Sequence, residues 1–262
     1  MATVHPTAIV DPAAHLDDDV EVGPYVVIGA GVSIASGCRI GPFCHFSGPT
    51  SVAANNTFLS HCSVGAPPQD LSYRGEPTRL EIGPGNTFRE YVNLDRGSVK
   101  GGGVTRVGGH GLYMVGVHIA HDCQVGDHVI FANHATLAGH VEVGSHANVG
   151  AFSAVHQFCR VGEYAFLGGF TVATKDCLPY MKTVGARPAR CFGPNTIGLE
   201  RKGFSSQAQE ALKRAWRLLH SPKLTTSEAV ARIQSDLAGQ PEIDTLLAFI
   251  TASQRGVILS LG

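Results

Sequence analysis

Residues 107–167 divide into sixes: VGGHGL YMVGVH IAHDCQ VGDHVI FANHAT LAGHVE VGSHAN VGAFSA VHQFCR VGEYAF, then Leu167. The first residue of every block is apolar: Val107, Tyr113, Ile119, Val125, Phe131, Leu137, Val143, Val149, Val155, Val161 and Leu167. The same interval runs from the N-terminus in another phase, through Val4, Val10, Leu16, Val22, Ile28, Ile34, Ile40, Phe46, Val52, Phe58 and Val64, and resumes at Ile82, Phe88 and Leu94. With apolar residues at 44% of the chain, either unbroken run of eleven has a chance probability of about one in ten thousand. A period of six suits neither a helix nor simple strand alternation. It is the signature of a parallel β-helix, each hexad giving one short strand and a corner. Glycine often follows the aliphatic residue, as in VGPYVV, IGAGVS and IGPFCH, and is expected there to free the backbone to turn.

The pattern resembles the left-handed β-helix of hexapeptide-repeat acyltransferases, whose triangular coils hold three hexads. The expected fold is therefore an all-β solenoid over residues 1–186 with an α-helical part at 187–262. Cys38, Cys44, Cys62, Cys123, Cys159 and Cys177 all stand four positions after the aliphatic site, where Ala8, Ala14, Val20 and Val26 also stand. They read as small inward fillers rather than reactive thiols. Two stretches, 65–81 and 95–106, carry no hexad signal and are rich in Gly, Pro and charge; loops of that length on a solenoid are candidates for covering a site. After residue 187 the spacing turns helical: Ala208, Ala211, Leu212, Ala215, Trp216 and Leu219 fall on one helix face. Thr225 and Glu228 form a capping box for a second helix ending near Gly239, and Pro241 opens a third.

Composition narrows the function. The chain has 262 residues, 16% charged, and seven cysteines with no C-x-x-C pair, which disfavours a disulfide framework and a zinc ribbon. No leader-like start and no long apolar run is present, so a cytoplasmic protein is expected. The net charge of −1 hides an asymmetry, −5 over 1–186 and +4 over 187–262, and a basic end can draw an acidic partner.

With eighteen residues to a coil, positions eighteen apart lie on neighbouring rungs about 4.8 Å apart. His121 then has Gly139 and Gln157 beside it, Asp122 has His140 and Phe158, and His118 has Thr136. None of these is at an inward position, so His118, His121, Asp122, His140 and His156 are expected to gather on the outer wall. A second column, His110, His128 and His146 continued by Tyr164, is read as packing and left out of the site. Transfer of an acyl group from a thioester to a hydroxyl needs a base near neutral pH and a donor for the developing oxyanion. His121 suits the first role, with Asp122 or a backbone carbonyl holding its second nitrogen, and Gly139 N–H suits the second.

The strings HPTAIV, QDLSYRGEPTRLEIG, GGGVT, HIAHDCQVG, ATLAGHVEVG, AVHQF and GLERKGFS, in that order, resemble the UDP-N-acetylglucosamine 3-O-acyltransferases that begin lipid A biosynthesis. The resemblance covers nearly the whole chain. It implies a homotrimer with sites between subunits, acyl carrier protein as acyl donor, UDP-N-acetylglucosamine as acceptor and no cofactor or metal. By position, it makes His121 the general base supported by Asp122, and Gly139 the oxyanion donor. Asp70, His118, His140, His156 and Gln157 would contact the sugar or acyl chain. Gly169 would gauge acyl length, and Asn195, Arg201 and Lys202 would meet the uridine diphosphate across the subunit boundary. Ser72, Ile197 and Lys202 depart from the residues most common in the family. Other readings of the residues remain: zinc ligands in HIAHDC, as in hydratases resembling the gamma-class carbonic anhydrases; the related N-acylating enzyme; and a solenoid without activity.

Overall fold

The computed structural model describes residues 1–259; Ser260, Leu261 and Gly262, the end of the expected helical part, lie outside the described residues. Strands mostly two residues long pass in turn to three faces of a triangular prism, giving sheets of eleven, nine and eight strands that are parallel except for the last strand of the first. The winding is a left-handed parallel β-helix with a small helical part. Neighbouring rungs pair at the expected interval, Thr3 with Glu21, His118 with Thr136 and Gln124 with Glu142. The interval widens where the two loops leave the wall, Ser63 pairing with Asn93 and Asn93 with His118.

The aliphatic positions face inward. Ile28, Ile34, Phe46, Leu137 and Leu167 are buried, and Phe58, Phe88, Tyr113 and Phe131 stack along the axis at 4.6 to 5.4 Å. Each such side chain contributes roughly 1.5–3 kcal/mol by leaving water. The six cysteines of the repeat are buried fillers, and Cys191, outside the repeat, is buried as well. The first coil differs from the expectation: Val4 is 40% exposed and Val10 and Leu16 are only partly buried, because no rung lies beneath them.

The glycine reading also needs correcting. Gly126 and Gly144 are not in the left-handed region; a Cβ there would lie 2.7 and 2.5 Å from the backbone nitrogens of Ser145 and Glu163 on the next rung. Close approach of stacked coils demands them. Left-handed corners instead carry Asp122, His140, Phe158 and the column His110, His128, His146 and Tyr164. In that column the rings stack at 5.0, 4.8 and 4.6 Å, and stacking of this kind helps to offset the cost of a left-handed backbone.

Past the last coils, strands Met181–Val184 and Arg190–Pro194 form an antiparallel hairpin that extends the first sheet across position 187. Helix α1 (Thr196–Arg201) follows, then α2 (Ser206–Leu219), α3 (Thr226–Asp236) and α4 (Pro241–Thr251). Ser205 caps α2 by accepting from Ala208 N–H, and its buried face is Ala208, Ala211, Leu212, Ala215 and Leu219. The Thr225/Glu228 capping box at α3 is formed as expected. These helices share a core with Leu178, Met181 and Cys191, while Ile258 packs onto the solenoid core. Arg160 ties α4 to the wall: it donates to Asp176 Oδ2 at 3.2 Å and to Phe249 O at 2.7 Å. The helices thus cover the end of the solenoid. None is long and apolar enough to cross a membrane.

Candidate active site

At the corner between strands His118–Ile119 and Gln124–Val125 the turn presents His121 and Asp122. Asp122 has a left-handed backbone, and its N–H donates to Thr105 Oγ1 at 2.8 Å. Its side chain is fully buried beneath the 95–106 loop rather than facing solvent as the register suggested. There Oδ1 accepts Ser98 N–H at 2.7 Å and Oδ2 accepts Ser98 Oγ–H at 2.6 Å. His121 Nδ1 lies 2.7 Å from Asp122 Oδ2. An ionised carboxylate only accepts, so Nδ1 carries the hydrogen and Nε2 keeps the lone pair.

The hydrogen bond that His121 donates to Asp122 raises the His121 pKa above its ordinary value, against the opposing effect of burial. Burial pushes the Asp122 carboxyl up, but hydrogen bonds from His121 and Ser98 outweigh it and hold the group below the usual carboxylate range. His140 Nε2 stands 3.7 Å from Asp122 Oδ2, its ring edge-on to His121 and stacked on Phe158. Its pKa is lowered, chiefly by burial. Three donors, from His121, Asp122 and His140, lie within 4.8 Å of one another. Ser98 and His121 already hold three hydrogen bonds to that carboxylate, with which a cation here would compete.

Gly139 lies against the imidazole. A Cβ at this position would sit 2.5 Å from His121 Cε1 and 2.8 Å from Nε2. Its carbonyl accepts from Phe158 N–H, and among the described residues its own N–H donates to no protein acceptor. An imidazole with a free Nε2 thus stands over an uncommitted amide.

His118 Nδ1 bonds Asn93 Oδ1 at 2.5 Å, and burial lowers its pKa. From the 65–81 loop, Asp70 projects its charge toward His121; the backbone N–H of Ser72, at 2.8 Å, keeps that carboxyl low. His156 and Gln157 follow one rung beyond Gly139, His156 Nδ1 lying 3.1 Å from Gln157 O and 3.3 Å from Arg255 Nη2.

The remaining expected site residues lie elsewhere on the single chain. Gly169 is in the turn between Phe166–Leu167 and Val172–Ala173, a different corner, where a Cβ would meet the Ala151 carbonyl oxygen at 3.4 Å, an ordinary contact. Asn195, Arg201 and Lys202 line a cavity of about 460 Å³ with Lys182, His128 and His146, at the third corner.

Four residues of the site were not singled out from the sequence: Ser98, Thr105, Asn93 and Asp95. Asp95 is buried beside Gln69 and Asn93, neither carboxylate oxygen has a hydrogen bond of good geometry, and burial pushes its pKa up to about 6. Its place directly after the inward Leu94, level with Ala120 on the next rung, was the available signal.

Similarity to known proteins bears on this geometry. A protein of Syntrophobacter fumaroxidans (strain DSM 10017 / MPOB), named acyl-(acyl-carrier-protein)–UDP-N-acetylglucosamine O-acyltransferase, is 47% identical over 255 residues, covering 97% of this chain and 99% of that one. The chain belongs to this acyltransferase family. A family relative of the same name from Myxococcus xanthus (strain DK1622) is 47% identical over 98% of this chain and 99% of its own. The family model described as UDP N-acetylglucosamine O-acyltransferase, domain 2, matches residues 176–258. Among solved structures of the family, LpxA from Acinetobacter baumannii superposes with a TM-score of 0.94 at 42% identity, covering 97% of this chain and 99% of that one. LpxA from Bacteroides fragilis 9343, a UDP-N-acetylglucosamine acyltransferase, gives 0.94 at 35% identity over 98% of this chain and all of that one.

Proposed function

We propose that this acyltransferase moves an (R)-3-hydroxyacyl group from the thioester of acyl carrier protein to the 3-hydroxyl of UDP-N-acetylglucosamine, the first step of lipid A biosynthesis. The observation that carries the reading is the His121–Asp122 hydrogen bond of 2.7 Å set over Gly139, in a chain 47% identical to an enzyme of that name.

His121 Nε2 takes the hydroxyl proton as the sugar oxygen attacks the thioester carbonyl carbon. The carbonyl electrons move onto oxygen, where Gly139 N–H donates to the negative charge. Asp122 stabilises the imidazolium. Collapse forms the ester and breaks the C–S bond, and the departing sulfur takes the proton back from Nε2, so that charge and protons balance. A thioester is activated enough for the step to need no metal and no cofactor.

Asp70, His118, His140, His156 and Gln157 surround this centre and serve the sugar and the acyl chain, with Gly169 leaving room for a long chain. The cavity at Asn195, Arg201 and Lys202 occupies another corner of the prism. A nucleotide sugar that spans both therefore takes its second half from a neighbouring subunit, in keeping with a homotrimer. The basic residues Arg187, Arg190, Lys213, Arg214 and Arg217 suit an acidic carrier protein, and we place the enzyme in the cytoplasm, where acyl carrier protein and nucleotide sugar meet.

The test is direct. Acyl carrier protein thioesters of graded length are incubated with UDP-N-acetylglucosamine and the product weighed by mass spectrometry. The expected product is the mono-acylated nucleotide sugar, and His121→Ala should lower the rate by a factor of about 10²–10⁴. Turnover near wild type in that variant would remove His121 from the base role.

A further inference from the structure

The corner column His110, His128, His146 and Tyr164 is more than packing along part of its length. Stacking accounts for all four rings, at 5.0, 4.8 and 4.6 Å. Yet His128 and His146 also form a wall of the 460 Å³ cavity that holds Lys182, Arg201 and Lys202. Among the described residues none of these three cations is in an ion pair. A concave site with three uncompensated positive charges is built for an anion.

His146 is held face-on between His128 and Tyr164, so only its ring edge is available for contact. On one edge Nδ1 is buried and, among the described residues, has no hydrogen-bond partner. Nε2, at the far end of the ring, is left for the cavity. Burial first, and then the nearby Lys202 and His128, lower the His146 pKa, with Glu163 and Asp127 opposing. The neutral ring puts its lone pair on the partnerless buried nitrogen and its hydrogen on Nε2. A fixed N–H donor thereby joins Lys182, Arg201 and Lys202 around the same space.

We propose that His146 is a recognition residue for the nucleotide half of the acceptor, its Nε2–H donating to a phosphoryl oxygen of the diphosphate. This rests on the reading of the cavity as the nucleotide subsite, and the experiment separates the two.

His146→Phe keeps a planar ring in the stack and removes only the donor. Affinity for UDP is measured by titration calorimetry on the full-length protein, and affinity for uridine by competition. The expected result is about a tenfold weaker UDP affinity with uridine unchanged and the melting temperature preserved, and partial recovery in His146→Gln, which restores an N–H donor. Equal UDP affinity in His146→Phe and wild type overturns the proposal, as does an equal loss for uridine, which would mean a contact to the base or a packing effect. Arg201→Ala is the control for the subsite: if it weakens UDP while His146→Phe does not, the nucleotide reading stands and only the His146 assignment falls. If neither variant affects UDP, both fall.

Discussion

Asp95→Asn tests the most unusual charge in the molecule. Asp95 is 1% exposed, has no hydrogen bond of good geometry, and has its pKa pushed up to about 6 by burial from an ordinary value of 3.8. Because the folded-state value is the higher one, the folded protein keeps a proton that the unfolded chain gives up between these two pH values. Stability from this group is therefore present at low pH, is lost as pH rises through the window, and changes no further above it. At about 1.4 kcal/mol per pKa unit the whole loss is about 3 kcal/mol, of which about 2 kcal/mol falls between pH 4.5 and 7.5. Asparagine does not titrate, and whatever it costs to bury its amide is the same at both pH values. The quantity to measure is the change in the variant-minus-wild-type difference. Urea unfolding at pH 4.5 and 7.5, at one fixed protein concentration because assembly shifts apparent stability, should show the variant gaining about 2 kcal/mol relative to wild type at the higher pH. A difference that is the same at both would refute the reasoning and mean that the carboxylate is compensated by a neighbour, Gln69 and Asn93 being nearest.

Gly139→Ala should lower kcat about a hundredfold or more, because its Cβ would lie 2.5 Å from His121 Cε1 and must push the base aside; activity within a few-fold of wild type, with the fold checked by circular dichroism, would show that the imidazole yields freely. The rate of acyl transfer should rise with pH through the raised pKa of His121, since only the neutral ring can accept the proton, and Asp122→Asn should move that limb to lower pH while reducing the plateau. A limb that stays in place in the variant would detach Asp122 from the base.

The parts of this structure that were legible in the sequence are those that repeat. The six-residue interval locates the inward wall, explains the buried cysteines and, through the eighteen-residue offset, places Gly139 beside His121 and His140 beside Asp122. What escaped lies where the interval breaks. Ser98 reaches Asp122 from a loop that leaves the wall, so no fixed spacing links them, and Thr105, in the strand Val104–Val107 that resumes the wall, lies within the stretch that carries no hexad signal. Asn93 meets His118 only because the same loop lengthens the offset. Helix α1 is six residues long with Gly198 inside it, too short to show a period. The repeat glycines were visible, but their cause was a contact between rungs, which a reading of local conformation does not contain.

The same contrast explains why one corner of the prism suits the proposed chemistry and its counterparts do not. At another corner of the wall the left-handed residues Phe152 and Phe170 are solvated, at 53% and 68% exposure. A carboxylate at such a position would be well hydrated, and its pull on a neighbouring imidazole would be screened. At Asp122 the 95–106 loop folds over the corner and replaces water with Ser98 N–H and Ser98 Oγ–H. The carboxylate stays charged, because those two donors and His121 outweigh burial, and it acts on His121 in a region of low dielectric constant, where a 2.7 Å hydrogen bond counts for more than it would in water. The repeat thus supplies a histidine and a bare amide at the spacing the proposed mechanism needs, and the interruption of the repeat fixes the tautomer and surroundings of that histidine.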